Sequence, residues 1–172
     1  MRVRPRPARR MADLRIFEAD LADPGQAEVV VRLLDAYARD EMGGGRPLSA
    51  YAKANLVPEL RKRLGACGIL AALDGEAVGL MICLEGFSTF ACRPLLNIHD
   101  VVVVRPCRGR GIAKRMLALA EAVARQRGCC KLTLEVLDRN APAIGLYRAF
   151  GFAGYALDPA NGEARFWQKL LD

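Results

Sequence analysis

A single histidine, His99, stands in 172 residues, so a metal centre built on imidazoles has little to draw on and none is expected. None of the six cysteines (Cys67, Cys83, Cys92, Cys107, Cys129 and Cys130) forms a C-x-x-C pair, and most sit inside apolar, strand-like runs. That pattern suits free thiols in a reducing, cytoplasmic setting better than a disulfide framework. No apolar run approaches the ~18 residues of a membrane span, and no h-region follows the N-terminus, so a soluble chain with no membrane partner is expected. Repeats and low-complexity segments are missing too. Two nucleotide fingerprints are absent as well. No Lys-Ser or Lys-Thr follows Gly109 and Gly111, which removes a P-loop, and the third glycine of G-x-G-x-x-G would fall where Lys114 stands.

What is there points to one domain. The length fits a single unit, and 52% apolar residues are ample for a core. The positive charge is local: of the net +7, five charges fall on Arg2, Arg4, Arg6, Arg9 and Arg10, which leaves +2 for the rest. With two prolines and no apolar period, residues 1–10 read as a basic, disordered N-terminal arm more readily than as a nucleic-acid arm or a transit peptide. Met11 offers an alternative start, and residues 11–172 form the domain. No nucleic-acid partner is expected.

In chain order, an alternating run over 14–18 predicts a first edge strand. Asp23-Pro24 opens a helix in which Val29, Val30, Leu33, Leu34 and Tyr37 recur at helical spacing, ended by Gly43-Gly44-Gly45-Arg46-Pro47. Ser49 caps a second helix over 50–64, with a kink near Pro58. Apolar runs over 68–73 and 77–84, joined by Asp74-Gly75, predict a hairpin. A loop through Phe87 and Phe90 leads to a β-branched strand over 95–104, a Gly-rich turn, and an amphipathic helix with Ile112, Met116, Leu119, Ala120 and Val123 on one face. Gly128 stops that helix. A strand over 131–136 follows a helical crossover and should lie parallel to the one at 95–104. Asn140 caps a short helix ended by Gly151, and runs over 152–157 and 165–171 predict a closing hairpin.

The turn Arg108-Gly109-Arg110-Gly111-Ile112-Ala113 is built to hold an anion. Its glycines let the backbone approach a ligand, and the first N–H groups of the helix have no carbonyl partners and point along a positive dipole end. Phosphate is the natural guest. The pattern R-x-x-G-x-[GA] at a strand-to-helix turn closely resembles the pyrophosphate loop of the GNAT superfamily of acyl-CoA-dependent N-acyltransferases. Downstream, Leu134-Glu135-Val136, Asn140, Ala143 and Leu146-Tyr147-Arg148-Ala149-Phe150-Gly151-Phe152 look like that family's second motif, in the expected order.

The resemblance covers residue 14 to the C-terminus and implies an α/β (α+β) GNAT fold. This would be a mixed, mostly antiparallel sheet of six to seven strands, splayed at its central parallel pair, with about four helices on its two faces. It implies acetyl-CoA as cosubstrate, with its pantetheine arm in the splay. Cofactor-binding groups would then be Arg108, Gly109, Arg110, Gly111, Ile112 and Ala113 at the pyrophosphate, main-chain groups of Val102, Val103 and Val104 along the pantetheine, and Asn140. Tyr147 matches the family's general acid beside the thioester sulfur.

A base is harder to name from residues alone. An alkylamine with pKa near 10.4 is mostly protonated at neutral pH, so something must take its proton. Glu85, His99 and Asp100 lie where an acceptor could approach, with Glu135 similar on the next strand; alternation would put His99 and Asp100 on opposite faces. Asp40, Glu41 and Glu85 could meet a second positive charge on the acceptor. The expectation is direct acetyl transfer to a primary amine, with a small molecule favoured. A protein N-terminal or lysine acetyltransferase and a non-catalytic acyl-CoA-binding regulatory domain are the alternatives. A homodimer is left open.

Overall fold

In a computed structural model of the chain, the structure describes residues 13–155 and 166–171. Five strands, β1 (Leu14–Glu18), β2 (Cys67–Leu73), β3 (Glu76–Ser88), β4 (Arg93–Val103) and β5 (Leu132–Leu134), lie in the sheet in sequence order. The first four are antiparallel neighbours, and β4 and β5 run parallel. Four helices accompany them: α1 (Pro24–Ala38), α2 (Ala50–Lys62), α3 (Ile112–Gln126) and α4 (Ala141–Phe150).

Local chemistry sets most boundaries. Asp23, Ser49 and Asn140 each accept a backbone N–H at a helix start, from Gln26, Ala52 and Ala143. The β2–β3 turn takes positive φ at both Asp74 (52°) and Gly75 (87°), the signature of the type I′ turn whose twist matches a hairpin. The strand at β3 runs four residues past the expected end at 84, because its partner β4 begins at Arg93 and the two pair as far as Ser88 with Arg93. Helix α2 continues through Pro58.

The sheet has a core on each face. Ile69, Met81, Leu96 and Ile98 pack with Met116, Leu117 and Ala120 of α3 and Tyr147 of α4. On the other face Leu70, Leu80, Ile82 and Val102 pack with Val30, Leu33 and Leu34 of α1 and Val57 and Leu60 of α2. The two-sided burial explains why these strands read as continuous apolar runs.

Two expectations need correction. The sheet has five strands among the described residues, not six to seven. Residues 156–165 of the expected closing hairpin lie outside the described residues, as does the arm at 1–10, and the flanks at 152–155 and 166–171 form no strand. The described sheet ends in two short edge strands, β1 of five residues and β5 of three. Alternation along β4 also breaks. Ile82 faces Asp100 and Cys83 faces Ile98, so His99 is an extra residue in a β-bulge.

Helix α3 sits close to the sheet because of Gly79. A Cβ there would lie 3.0 Å from the Met116 sulfur, 3.1 Å from the Ala71 Cβ and 3.3 Å from the Val102 oxygen. Overpacking at such a site costs roughly 1–3 kcal/mol. Gly79→Val should therefore lower unfolding stability by about that amount in urea titration, while an unchanged midpoint would mean that α3 is not seated by this contact.

Candidate active site

The site begins where β4 leaves β5. The two strands pair only from Leu96 with Leu132 to Ile98 with Leu134, and Asn97 stitches them through Thr133 at 3.2 Å and Glu135 at 3.5 Å. Beyond the bulge β4 runs on to Val103 with β3 on one side and, among the described residues, no strand on the other. The Val104 amide donates to the Val78 carbonyl on β3 at 2.9 Å, so by alternation Val104, Val102 and Asp100 turn their main-chain groups toward β3. Val101 and Val103 turn theirs to the opening. Of the three valines expected to lend main-chain groups there, the register gives that direction to Val103, and Val101 joins it in place of Val102 and Val104.

At the far end of the opening lies the glycine turn. Gly109 (φ 74°) and Gly111 (φ 76°) both occupy the left-handed region, where a β-carbon is disfavoured. Around each a Cβ would meet nothing within 4 Å, so the turn presents bare backbone to open space. Gly111 caps α3 without a side-chain hydrogen bond, no acidic residue sits in the first turn, and the first intrahelical bond runs from the Arg115 amide to the Gly111 carbonyl. The N–H groups of Ile112, Ala113 and Lys114 therefore have no carbonyl partner within the helix. That donor set fits a pyrophosphate.

Arg108 does not point freely at this cradle. Its Nε donates to the Val103 carbonyl at 2.8 Å, and its Nη2 reaches Asp40 at 2.9 Å. Arg105 Nε meets the same Asp40 oxygen at 3.3 Å. Asp40 is mostly buried and also accepts from the Met42 amide at 3.2 Å. The Arg108 guanidinium, then that amide, hold its carboxyl below the usual carboxylate range. Asp40 thus latches the loop after α1 onto the turn before α3 and is not free for a second acceptor charge. Arg110 stands exposed beside the cradle.

Tyr147 projects from α4 into the core on the α3 face, 9% exposed, with its ring edge-on to Phe152 at 5.8 Å. Burial, then the phenol of Tyr37, push its pKa up, so it holds its proton at neutral pH. Tyr37, on α1, is likewise pushed up by burial and then by Asp100 and Asp40. Tyr37 is thus close enough to feel the Asp100 charge and to act on Tyr147. Periodicity had marked it only as one position on a helix face. Asn140 spends its Oδ1 on the Ala143 amide at 3.3 Å.

The bulge brings His99 and Asp100 together. Both line one cavity of about 410 Å³, between α2 and the β3–β4 pair, against the expectation of opposite faces. Burial raises the Asp100 pKa, and a neighbouring His99 charge partly offsets this. Glu85 is elsewhere. Its carboxylate lies 3.9 Å from Arg127 at the end of α3, over Gly65, and it is absent from the cavity wall. Among the described residues no group of three or more His, Cys, Asp or Glu side chains gathers as a metal site, and no helix is long and apolar enough to cross a membrane.

Residues 30–152 match the family model described as Acetyltransferase (GNAT) family. The chain is 42% identical over 92 residues to streptothricin acetyltransferase of Streptomyces lavendulae, which covers 54% of this chain and 47% of that protein. It is 35% identical over 83 residues to the N-alpha-acetyltransferase MAK3 of Arabidopsis thaliana, covering 48% and 43%. The chain thus matches about half the length of these curated relatives. A crystal structure of a probable acetyltransferase superposes with a TM-score of 0.76 at 19% identity, covering 92% of this chain and 99% of that one.

The Asp40 latch should be structural in weight. Both guanidiniums are about half exposed or more and rehydrate when released, so Asp40→Ala should cost about 1–2 kcal/mol in chemical denaturation. No change in midpoint would show that the two loops hold together without it.

Proposed function

The chain belongs to the acetyltransferase (GNAT) family, and from that premise we propose that it moves the acetyl group of acetyl-CoA directly onto a primary amine of a small molecule. The observation that supports this reading is the opening between β4 and β5, with free N–H groups at one end, Tyr147 in the core on the α3 face of the sheet and Asp100 in the cavity on the other face.

In this reading the pyrophosphate sits on the N–H groups of Ile112, Ala113 and Lys114, with Arg110 as the nearby charge. The pantetheine arm runs along the main-chain groups of Val101 and Val103, where it would displace or share the Arg108 contact to the Val103 carbonyl. The Nδ2 of Asn140 has no partner among the described residues and is left to the arm. Asp100, with His99 beside it, takes the proton from the ammonium. The N–C bond then forms as the C–S bond breaks, the leaving thiolate takes the Tyr147 proton, and the second proton shed by the acylated nitrogen restores the phenol, while Asp100 returns its own proton to solvent. A free thiol has pKa about 8.5 and a phenol about 10, so the phenol can act only as the thiolate forms, which asks for close geometry.

The MAK3 relative favours a second reading, acetylation of a protein N-terminus. It uses the same cofactor groups and differs only in the acceptor. A peptide panel run beside small amines separates the two.

Two measurements test the chemistry. Tyr147→Phe keeps the ring and its packing but removes the proton, so kcat should fall ~10²-fold with acetyl-CoA affinity little changed. On a donor with a much more acidic thiol the deficit should largely vanish; equal losses on both donors would take Tyr147 out of the mechanism. The second concerns pH. A carboxylate whose pKa is raised by burial loses its basic form at a higher pH than an ordinary one, so kcat/KM for the amine should fall on the acid side above the usual Asp range. Asp100→Asn should remove that limb while His99→Gln retains it. A limb that survives Asp100→Asn would hand the proton to water or to His99.

A further inference from the structure

Resting on the acetyl-transfer reading, we propose that the acceptor is a monocationic amine carried on an apolar body, because leucine and isoleucine dominate the facing walls of the cavity beside β4 and, of its two carboxylates, Asp100 alone makes no ion pair among the described residues, with only His99 beside it. Its volume of about 410 Å³ suits a small molecule. One wall is the inner face of α2, where Leu56 and Leu60 recur at helical spacing. Ile82 and Leu84 of β3 form the opposite wall. Asp100 and His99 close the end nearest the splay, so an ammonium drawn to Asp100 arrives beside the opening while its body rests on leucines.

The charges around this cavity leave room for one cation. Glu59 lines it but is held by Lys62 at 2.7 Å and Arg63 at 3.2 Å. Asp35 is held by Lys53 at 3.0 Å and Arg39 at 3.1 Å, and Asp40 by Arg105 and Arg108. Glu41 is exposed on the turn after α1, off the cavity wall. Asp100 has no hydrogen-bond or ion-pair partner among the described residues. A second ammonium on the acceptor would be desolvated against leucines with the Arg63 guanidinium on the same wall, and an unpaired buried charge is strongly disfavoured. Asn55 lines the cavity beside Tyr51; its Nδ2 is spent on the Tyr51 carbonyl at 2.8 Å, which leaves its Oδ1 without a partner among the described residues.

The test is kcat/KM with acetyl-CoA for benzylamine, hexylamine, spermidine and a polycationic aminoglycoside, with free thiol and acetylated amine both measured. The monoamines should exceed spermidine and the aminoglycoside by at least tenfold. Asn55→Asp adds to the wall a second carboxylate not held by an arginine or lysine, and it should raise spermidine against benzylamine severalfold while leaving acetyl-CoA affinity unchanged. A wild-type preference for spermidine or the aminoglycoside would overturn the acceptor class and leave the transfer reading standing. Acetyl-CoA that binds in calorimetry while none of the four amines is acetylated would overturn both.

Discussion

The parting of two parallel strands is the constraint on which the rest of the molecule depends. Parallel pairs are ordinarily buried and fully laddered, so a strand that loses its neighbour midway through a sheet must leave main-chain donors and acceptors unmatched. Here β4 is doubly paired over only three residues and then runs on alone on its β5 side. The helix that crosses between them cannot relieve this, since its N-terminus carries unmatched donors of its own. Both sets of groups look into one opening. A ligand with a hydrogen-bonding arm and an anionic end satisfies the two together, which is why the fold and the cosubstrate belong to one another.

The bulge at His99 is the second half of the same device. An extra residue in one strand reverses which main-chain groups face the gap and increases local twist. Before it, the Leu96 amide bonds the Lys131 carbonyl across to β5; after it, Val101 and Val103 face the space β5 has left. The bulge also rotates a His-Asp dipeptide onto the α2 face, so one backbone irregularity sets which main-chain groups face the opening and places the acidic end of the cavity beside α2.

Much of the fold was legible because its signals are local. Asp74-Gly75, the capping residues Asp23, Ser49 and Asn140, and the apolar stripe of α3 each carry their instruction within a few residues, and the glycine turn carries its function the same way. What stayed hidden is what depends on register or on distant pairing. No pattern in residues 95–104 marks His99 as the extra residue, because the bulge is defined by where Ile82 and Cys83 sit on another strand. Asp40 and Arg108 are 68 positions apart, so their contact left no trace in spacing, and an exposed acid and a phosphate-seeking arginine were each expected where in fact they neutralise each other. Glu85 failed as a cavity residue for a related reason: Arg127, at the other end of a long helix, reaches it first.

Burial raises the pKa of both Tyr147 and Asp100, and in the proposed mechanism each shift suits the role given to the group. A general acid must keep its proton until the thiolate forms, and desolvation disfavours phenolate, so the enclosed Tyr147 stays a donor. A base must have affinity for a proton that an alkylamine holds with pKa near 10.4, and desolvation brings the Asp100 carboxyl part of the way toward it. Had both groups been exposed, Asp100 would be a poor base, and water would compete with each. Tyr37 sharpens the arrangement. Its phenol is kept neutral by burial and by the Asp100 and Asp40 carboxylates, so it adds no charge beside either group. In the proposed mechanism the opening left where β5 ends after three residues holds the cofactor arm, while burial on the two faces of the sheet keeps the acid protonated and strengthens the base.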